Sequence, residues 1–340
     1  MRRILLSLVA LLLLVILGLA GLVYIKAQHF LTASPETPGR DVVFTVEQGQ
    51  TFDQVARGLE AEGLITNARH FMFLGKWEKR LGSIQAGDFQ LSTGWPPTRI
   101  LETLATGKPI LYRLSIREGL TWWETAQVIE DQGFANASEI KALVHDPELL
   151  QKYRIPFDNA EGFLFPETYL LKRPGRQDAR FIVELLLKTF WDKTARLWAE
   201  HGEPNATELS RLVILASLVE RETGVPEERA RVAGVFTKRL ARNMLLQCDP
   251  TIIYGLGTAF GGVIRRSHLN DAANPYNTYQ RPGLPPGPIC SPGLEAIKAA
   301  VEPEEHDYLY FVASGDGGHV FSKTLDEHNR AVRQYRLRQQ

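Results

Sequence analysis

Apolar positions fall into three regimes along the chain. From Ile4 to Ile25 they are continuous: every residue is apolar, small or aromatic apart from Ser7. As a helix this run is about 33 Å long, enough to cross a bilayer. Arg2 and Arg3 precede it and Lys26 follows, so the positive-inside bias keeps residues 1–3 in the cytoplasm and exports everything after the span. A cleaved signal peptide competes with this reading. The run is longer than a usual h-region, however, and Tyr24 to Gln28 offers no small-x-small cleavage site. The expectation is an uncleaved transmembrane helix over 4–25. Residues 26–41 turn polar and carry Pro35 and Pro38, which predicts a short tether.

The second regime alternates and repeats. Phe44–Ala56 and Leu114–Ala126 align without a gap, pairing Gly49 with Gly119, Thr51 with Thr121 and Ala56 with Ala126, and Gly63 matches Gly133 further on. Each copy opens as a period-two strand and turns at glycine. Thr51 or Thr121 then stands as N-cap before an amphipathic helix that stops near Gly63 or Gly133. Gly87–Leu91 is expected to close the first copy and Gly162–Phe165 the second, giving β-α-α-β units over 42–110 and 111–175. This order is similar to the LysM fold, a module that binds N-acetylglucosamine polymers in other proteins. A spacer that holds the rest of the chain off the membrane fits the same order.

In the third regime, 176–340, helical periodicity takes over. Helices are predicted from about Asp178 to His201, from Glu208 to Thr223 and from Pro226 to Asn243, followed by a Pro/Gly-rich region and a strand at Tyr308–Val312. The class is α+β.

Composition removes several functions. The chain has 340 residues, 44% of them hydrophobic, which is enough to bury a sizeable core. Lys+Arg and Asp+Glu both number 39, so no basic excess exists to neutralise a nucleic-acid backbone. Cys248 and Cys290 fit neither a disulfide framework nor a zinc site, and their redox state stays open. His319, Glu327 and His328 lack metal-ligand spacing and read as hydrogen-bonded scaffold. No metal and no cofactor are expected.

The candidate chemistry sits at one helix end. Leu212–Val219 is apolar nearly all round and runs into Glu220-Arg221-Glu222. A helix C-terminus already presents partial negative charge, so an acid held there has reason to stay protonated. Spacing of three and four from Leu215, Leu218 and Val219 puts Glu222, not Glu220, on the apolar stripe. Such a carboxyl suits general acid work at neutral pH. Two solvated glutamates paired with Arg221 and Arg229 would account for the same residues.

Ala216-Ser217-Leu218-Val219-Glu220-Arg221-Glu222-Thr223 resembles the ASxxExET signature of the endolytic murein transglycosylases, the YceG-like family. The likeness continues through Val235-Phe236 with Arg239-Leu240, and through Gln247-x-Asp249-Pro250-Thr251 with Tyr254. It then takes in Tyr276-Asn277-Thr278-Tyr279, Gly283–Ile289, Tyr308–Val312, Gly318-His319-x-Phe321 and Glu327-His328-Asn329. Cysteine at 248 and 290 departs from what the family would be expected to require.

The resemblance implies a lytic transglycosylase in the cytoplasmic membrane with an extracytoplasmic catalytic domain. It makes Glu222 the catalytic residue and peptidoglycan glycan strands the substrate. Cleavage of the MurNAc-β-1,4-GlcNAc bond, closure of a 1,6-anhydro ring and termination of nascent strands go with it, and so do peptidoglycan synthases and division or elongation proteins as partners. Gln247, Asp249, Thr251, Tyr254, Tyr276, Asn277 and Tyr279 become candidate substrate contacts. Asp249 and Pro250 equally suit a helix start, with Asp249 as cap, and Tyr276–Tyr279 equally suits a packed loop. A muramidase-type hydrolase using Glu220 or Asp249 as second acid, or a non-enzymatic wall-binding scaffold, would have a similar sequence.

Overall fold

The computed structural model describes residues 2–172 and 178–338, with side chains from Leu11 onward. The expected boundary at 175/176 falls outside the described residues. Helix and sheet are mixed, and the chain divides into two compact units. One comprises the residues up to Tyr112 with a short stretch from Leu170; the other comprises Arg113–Tyr169 and the described chain from residue 178.

Helix α1 runs over Arg2–Thr32, and its Leu11–Thr32 portion is long and apolar enough to cross a membrane, with none of it buried in protein over the most apolar window. It does not stop where the sequence predicts a tether. Phe30 is 9% exposed and joins the core of the first unit, with Leu31 packed against it, because two apolar residues near the helix end gain more from burial than from solvent. The following segment is tied down as well. Ser34 Oγ donates to Gly94 O (2.7 Å) and Thr93 Oγ1 donates to Glu36 Oε2 (2.6 Å).

The first unit continues with β1 (Asp41–Val46), α2 (Phe52–Ala61), α3 (Ala68–Trp77), β2 (Gly87–Ser92) and α4 (Pro97–Thr106). β1 and β2 pair antiparallel, Phe44 opposite Phe89. Thr51 caps α2 in a capping box with Gln54. Phe44, Val55, Leu59, Phe71, Phe89, Leu91, Leu101 and Leu104 form the core between them.

The second copy starts on this plan with β3 (Tyr112–Ser115), α5 (Trp122–Asp131) and α6 (Ala137–Val144), but a third helix, α7 (Pro147–Lys152), precedes β4 (Thr168–Leu171), so it is β-α-α-α-β and not the expected β-α-α-β. Thr121 and Glu124 make the matching capping box. Gly49 and Gly119, at φ 80° and 77°, turn alike, as do Gly63 and Gly133 at 71° and 76°, where a side chain would be strained. The closing strand lies later than predicted. Residues 161–164 form turns and Gly162–Phe165 is buried, so this apolar run fills the interior and the ladder is left to β4. A Cβ at Gly162 would stand 2.7 Å from Val213 Cγ1 and 2.8 Å from Pro288 Cγ.

Helix α8 (Ala179–His201) starts at the Asp178 cap. Then come α9 (Ala206–Glu222), a 3₁₀ turn over Pro226–Glu228, α10 (Arg229–Ala241), α11 (Asp249–Leu256), the short α12 (Arg266–Leu269) and α13 (Leu294–Val301). Strands β5 (Tyr310–Ala313) and β6 (His319–Ser322) form a hairpin, and α14 (Leu325–Arg338) ends the described chain. Every residue of α9 from Val213 to Val219 is buried, and α10, α11 and α13 pack around it. Ser217 Oγ accepts from the Ile289 N–H at 3.0 Å, so the Pro/Gly-rich loop is fastened to the middle of this helix.

Candidate active site

Helix α9 delivers its two glutamates to different surroundings. Glu220 accepts from the Gly293 N–H at 3.0 Å. Glu222, the last residue of α9, lines a cleft of about 320 Å³ together with Arg239, Gln247, Asp249, Tyr279 and His319. Phe311–Ala313 of β5 and His328 of α14 complete its wall. The core of α9 thus positions the acid, and the β5–β6 hairpin with α14 encloses it.

Burial raises the pKa of Glu222 above the ordinary carboxylate range, and Asp249 nearby adds to the rise. A hydrogen bond from the Cys248 thiol and the charges of His319 and Arg239 oppose it. Glu222 stays part-exposed, so its carboxyl is open to the cleft. Burial also raises Glu220, against the pull of the Gly293 N–H. The titration shift alone therefore does not separate the two; the cleft does.

Gln247 and Asp249 are exposed. Gln247 sits at φ 50°, a left-handed conformation that costs a non-glycine residue about 1 kcal/mol or more. Its N–H donates to Thr278 O at 3.2 Å, and the Cys248 N–H donates to Thr278 Oγ1 at 3.0 Å. Cys248 occupies the N-cap of α11 without a side-chain cap bond, and Asp249 is the first helical residue. Freed from capping, the Asp249 carboxylate accepts from Tyr279 Oη at 2.6 Å.

The other candidates do not line this cleft. Thr251 is fully buried, bonded to Cys248 O (2.6 Å) and Thr278 Oγ1 (3.0 Å). Asn277 is fully buried too: its amide donates to the carbonyls of His268, Leu269 and Asp271 and its oxygen accepts from the Tyr279 N–H, fixing the loop. The Tyr254 ring lies between Trp123 (5.0 Å) and Tyr276 (4.7 Å), tilted to both. Tyr276 and Asn277 belong to a second hollow, of about 380 Å³, walled by Arg281 and Pro282–Pro286. Both cysteines are free and buried.

The sequence reading assigned no role to three further groups, although Arg239 stood in a motif of the family likeness. Glu228 holds His319 in the cleft, accepting from its backbone N–H at 2.9 Å and bonding Nδ1 at 2.7 Å. Arg239, 7% exposed, donates to Leu309 O and Leu246 O, each at 2.7 Å, and so pins β5 to the loop before Gln247. Glu161, 1% exposed, accepts from the Trp122 N–H (3.0 Å) and the Gly162 N–H (3.3 Å), and burial pushes it up to about 8. An acid set into the apolar stretch Ala160–Phe165 was the only signal for the last. Among the described residues no group of three or more His, Cys, Asp or Glu could hold a metal ion.

An endolytic murein transglycosylase of Bacillus subtilis (strain 168) is 29% identical over 309 residues, covering 86% of this chain and 84% of that protein. One from Streptococcus pneumoniae (strain ATCC BAA-255 / R6) is 29% identical over 324 residues, and the chain spans only 58% of its length. The crystal structure of a yceG-like protein from Listeria monocytogenes superposes with a TM-score of 0.58 at 29% identity, covering 86% of this chain and 99% of that one. The YceG-like family matches residues 44–334, and the chain belongs to that family.

Proposed function

We propose that the chain is a membrane-anchored endolytic murein transglycosylase, with Glu222 as its catalytic acid and base. The observation that carries this is the half-buried Glu222 carboxyl, raised in pKa, at the end of a buried helix and open to a cleft. Glu222 gives its proton to the bridging oxygen of the MurNAc-β-1,4-GlcNAc bond as that bond breaks. The resulting carboxylate then takes the proton of the muramic acid C6 hydroxyl, whose oxygen closes a 1,6-anhydro ring on C1. Proton and electron pairs balance, no water is consumed, and Glu222 is left protonated for the next turn. Gln247, Asp249 and Tyr279, on the same cleft, would hold sugar hydroxyls. The first copy, a β-α-α-β unit, is LysM-like, α1 spans the cytoplasmic membrane, and the rest lies outside it, where nascent strands leave their synthase.

A hydrolase reading has one observation in its favour: Asp249 stands in the same cleft, a second carboxylate of the sort hydrolytic glycosidases use. Mass spectrometry of muropeptides released from purified sacculi by the detergent-solubilised chain decides between them. Anhydro ends are expected; reducing ends alone would transfer the reaction to water and Asp249.

A further inference from the structure

Outside α1, the two most exposed large apolar side chains among the described residues are Trp77 (87%) and Phe73 (72%). They stand four apart on α3 and so share a face, and His70, three before Phe73, extends the same stripe. His70 packs edge-on against Phe30, ring centroids 5.2 Å apart. At 100° per residue the three occupy an arc of about 60°, while Arg69 and Lys76 flank Phe73 within about 60° on one side. Both cations are exposed. An aromatic stripe bordered by basic residues is the pattern of a helix lying in a bilayer interface.

The position of Phe30 supplies the partner. If Ile4–Ile25 fills the hydrocarbon, Phe30 lies five residues beyond it, about 7 Å outward, which is the depth of the headgroup layer. The ring that Phe30 touches therefore belongs to a residue at that depth, and the exposed aromatic stripe begins there. We propose that α3 rests on the outer leaflet, with Phe73 and Trp77 at the boundary of headgroups and acyl chains and Arg69 and Lys76 on anionic lipid phosphates. This rests on the reading of α1 as a membrane anchor.

The full chain is reconstituted into vesicles of phosphatidylethanolamine and phosphatidylglycerol, 3:1, with and without bromine on the acyl chains near the headgroup. Tryptophan emission is compared between wild type and Trp77→Phe, a substitution at a solvent-exposed ring that leaves the core untouched. The emission of Trp77, taken as the difference, is expected to fall at least twofold in brominated lipid, and Phe73→Trp in the Trp77→Phe background should restore a quenched signal. Equal Trp77 emission in both lipids, with the protein co-floating with vesicles, overturns the proposal and leaves the anchor standing; a solvent-facing or protein-docked α3 would give that result. Failure to co-float removes the anchor and the proposal together.

Discussion

Glu228 grips His319 twice, by the backbone N–H and by ring Nδ1, and so decides which ring edge His319 presents to the cleft of Glu222. Burial tends to raise Glu228, yet the bonds from His319 leave it net below the usual carboxylate range. A depressed folded pKa means stability present above the unfolded pKa and lost as pH falls through the folded one. Glu228→Ala should destabilise by about 1–3 kcal/mol at pH 7, and the deficit should shrink in acid. Thermal melts from pH 3 to 7 test this; a deficit that is constant with pH would contradict the linkage.

Glu222→Gln keeps shape but cannot pass a proton, so glycan cleavage should fall about 10²–10⁴-fold. Glu220→Gln should retain most activity, since its carboxyl is engaged with Gly293 N–H. Anhydromuropeptide release, with melts to confirm folding, makes the comparison. Loss of release in Glu220→Gln alone would move the chemistry off the cleft. In wild type the rate should fall as pH rises through the raised pKa of Glu222.

Glu161 offers a test of stability without catalysis. Its carboxyl is raised from 4.5 to about 8 by burial, so the folded state holds a proton that the unfolded state releases. The contribution is complete below pH 4.5 and is lost progressively up to about pH 8, with a slope of at most about 1.4 kcal/mol per pH unit. Glu161→Gln should be flat across that window. Melting temperatures of both proteins at pH 5, 6.5 and 8 should therefore converge or cross; parallel curves would show that Glu161 is ionised in the fold.

Cys248→Ser and Cys290→Ser together should leave most activity, because no thiolate takes part in the proposed chemistry. The Cys248 thiol pulls the pKa of Glu222 down, and a hydroxyl is a stronger donor than a thiol. The alkaline limb of the pH–rate profile should therefore move to lower pH in Cys248→Ser and stay in place in Cys290→Ser. Abolished turnover in a folded double variant would refute this.

Periodicity located α2, α5, α8, α9 and α10 within a few residues, and the Gly-x-Thr repeat located the N-caps Thr51 and Thr121, because these are signals of the chain with itself. What it missed depends on partners distant in sequence. Phe30 looked like part of a tether until the core that covers it was visible, and Gly162–Phe165 looked like a strand although its burial is on all sides. Spacing along α9 separated Glu222 from Glu220, but nothing local links Glu228 to a histidine 91 residues away. Asn277 and Thr251 read as ligand-facing polar groups; in the fold their hydrogen bonds go to neighbouring loops.

The glycine at 162 bears on what became of the duplicated module. Two copies of one plan began with the same turn, cap and helix. The earlier copy has its own interior, while the later one meets Val213 and Pro288 so closely that even a methyl group is refused at residue 162. Sequence drift in the later copy is thus answerable to α9 and the Pro/Gly-rich loop, and a homologous module could be exchanged for the earlier copy far more readily than for the later. Chimeras that swap residues 29–110, so that Phe30 travels with the core it joins, should fold, and those that swap 113–169 should not unless Val213 and Pro288 travel with them.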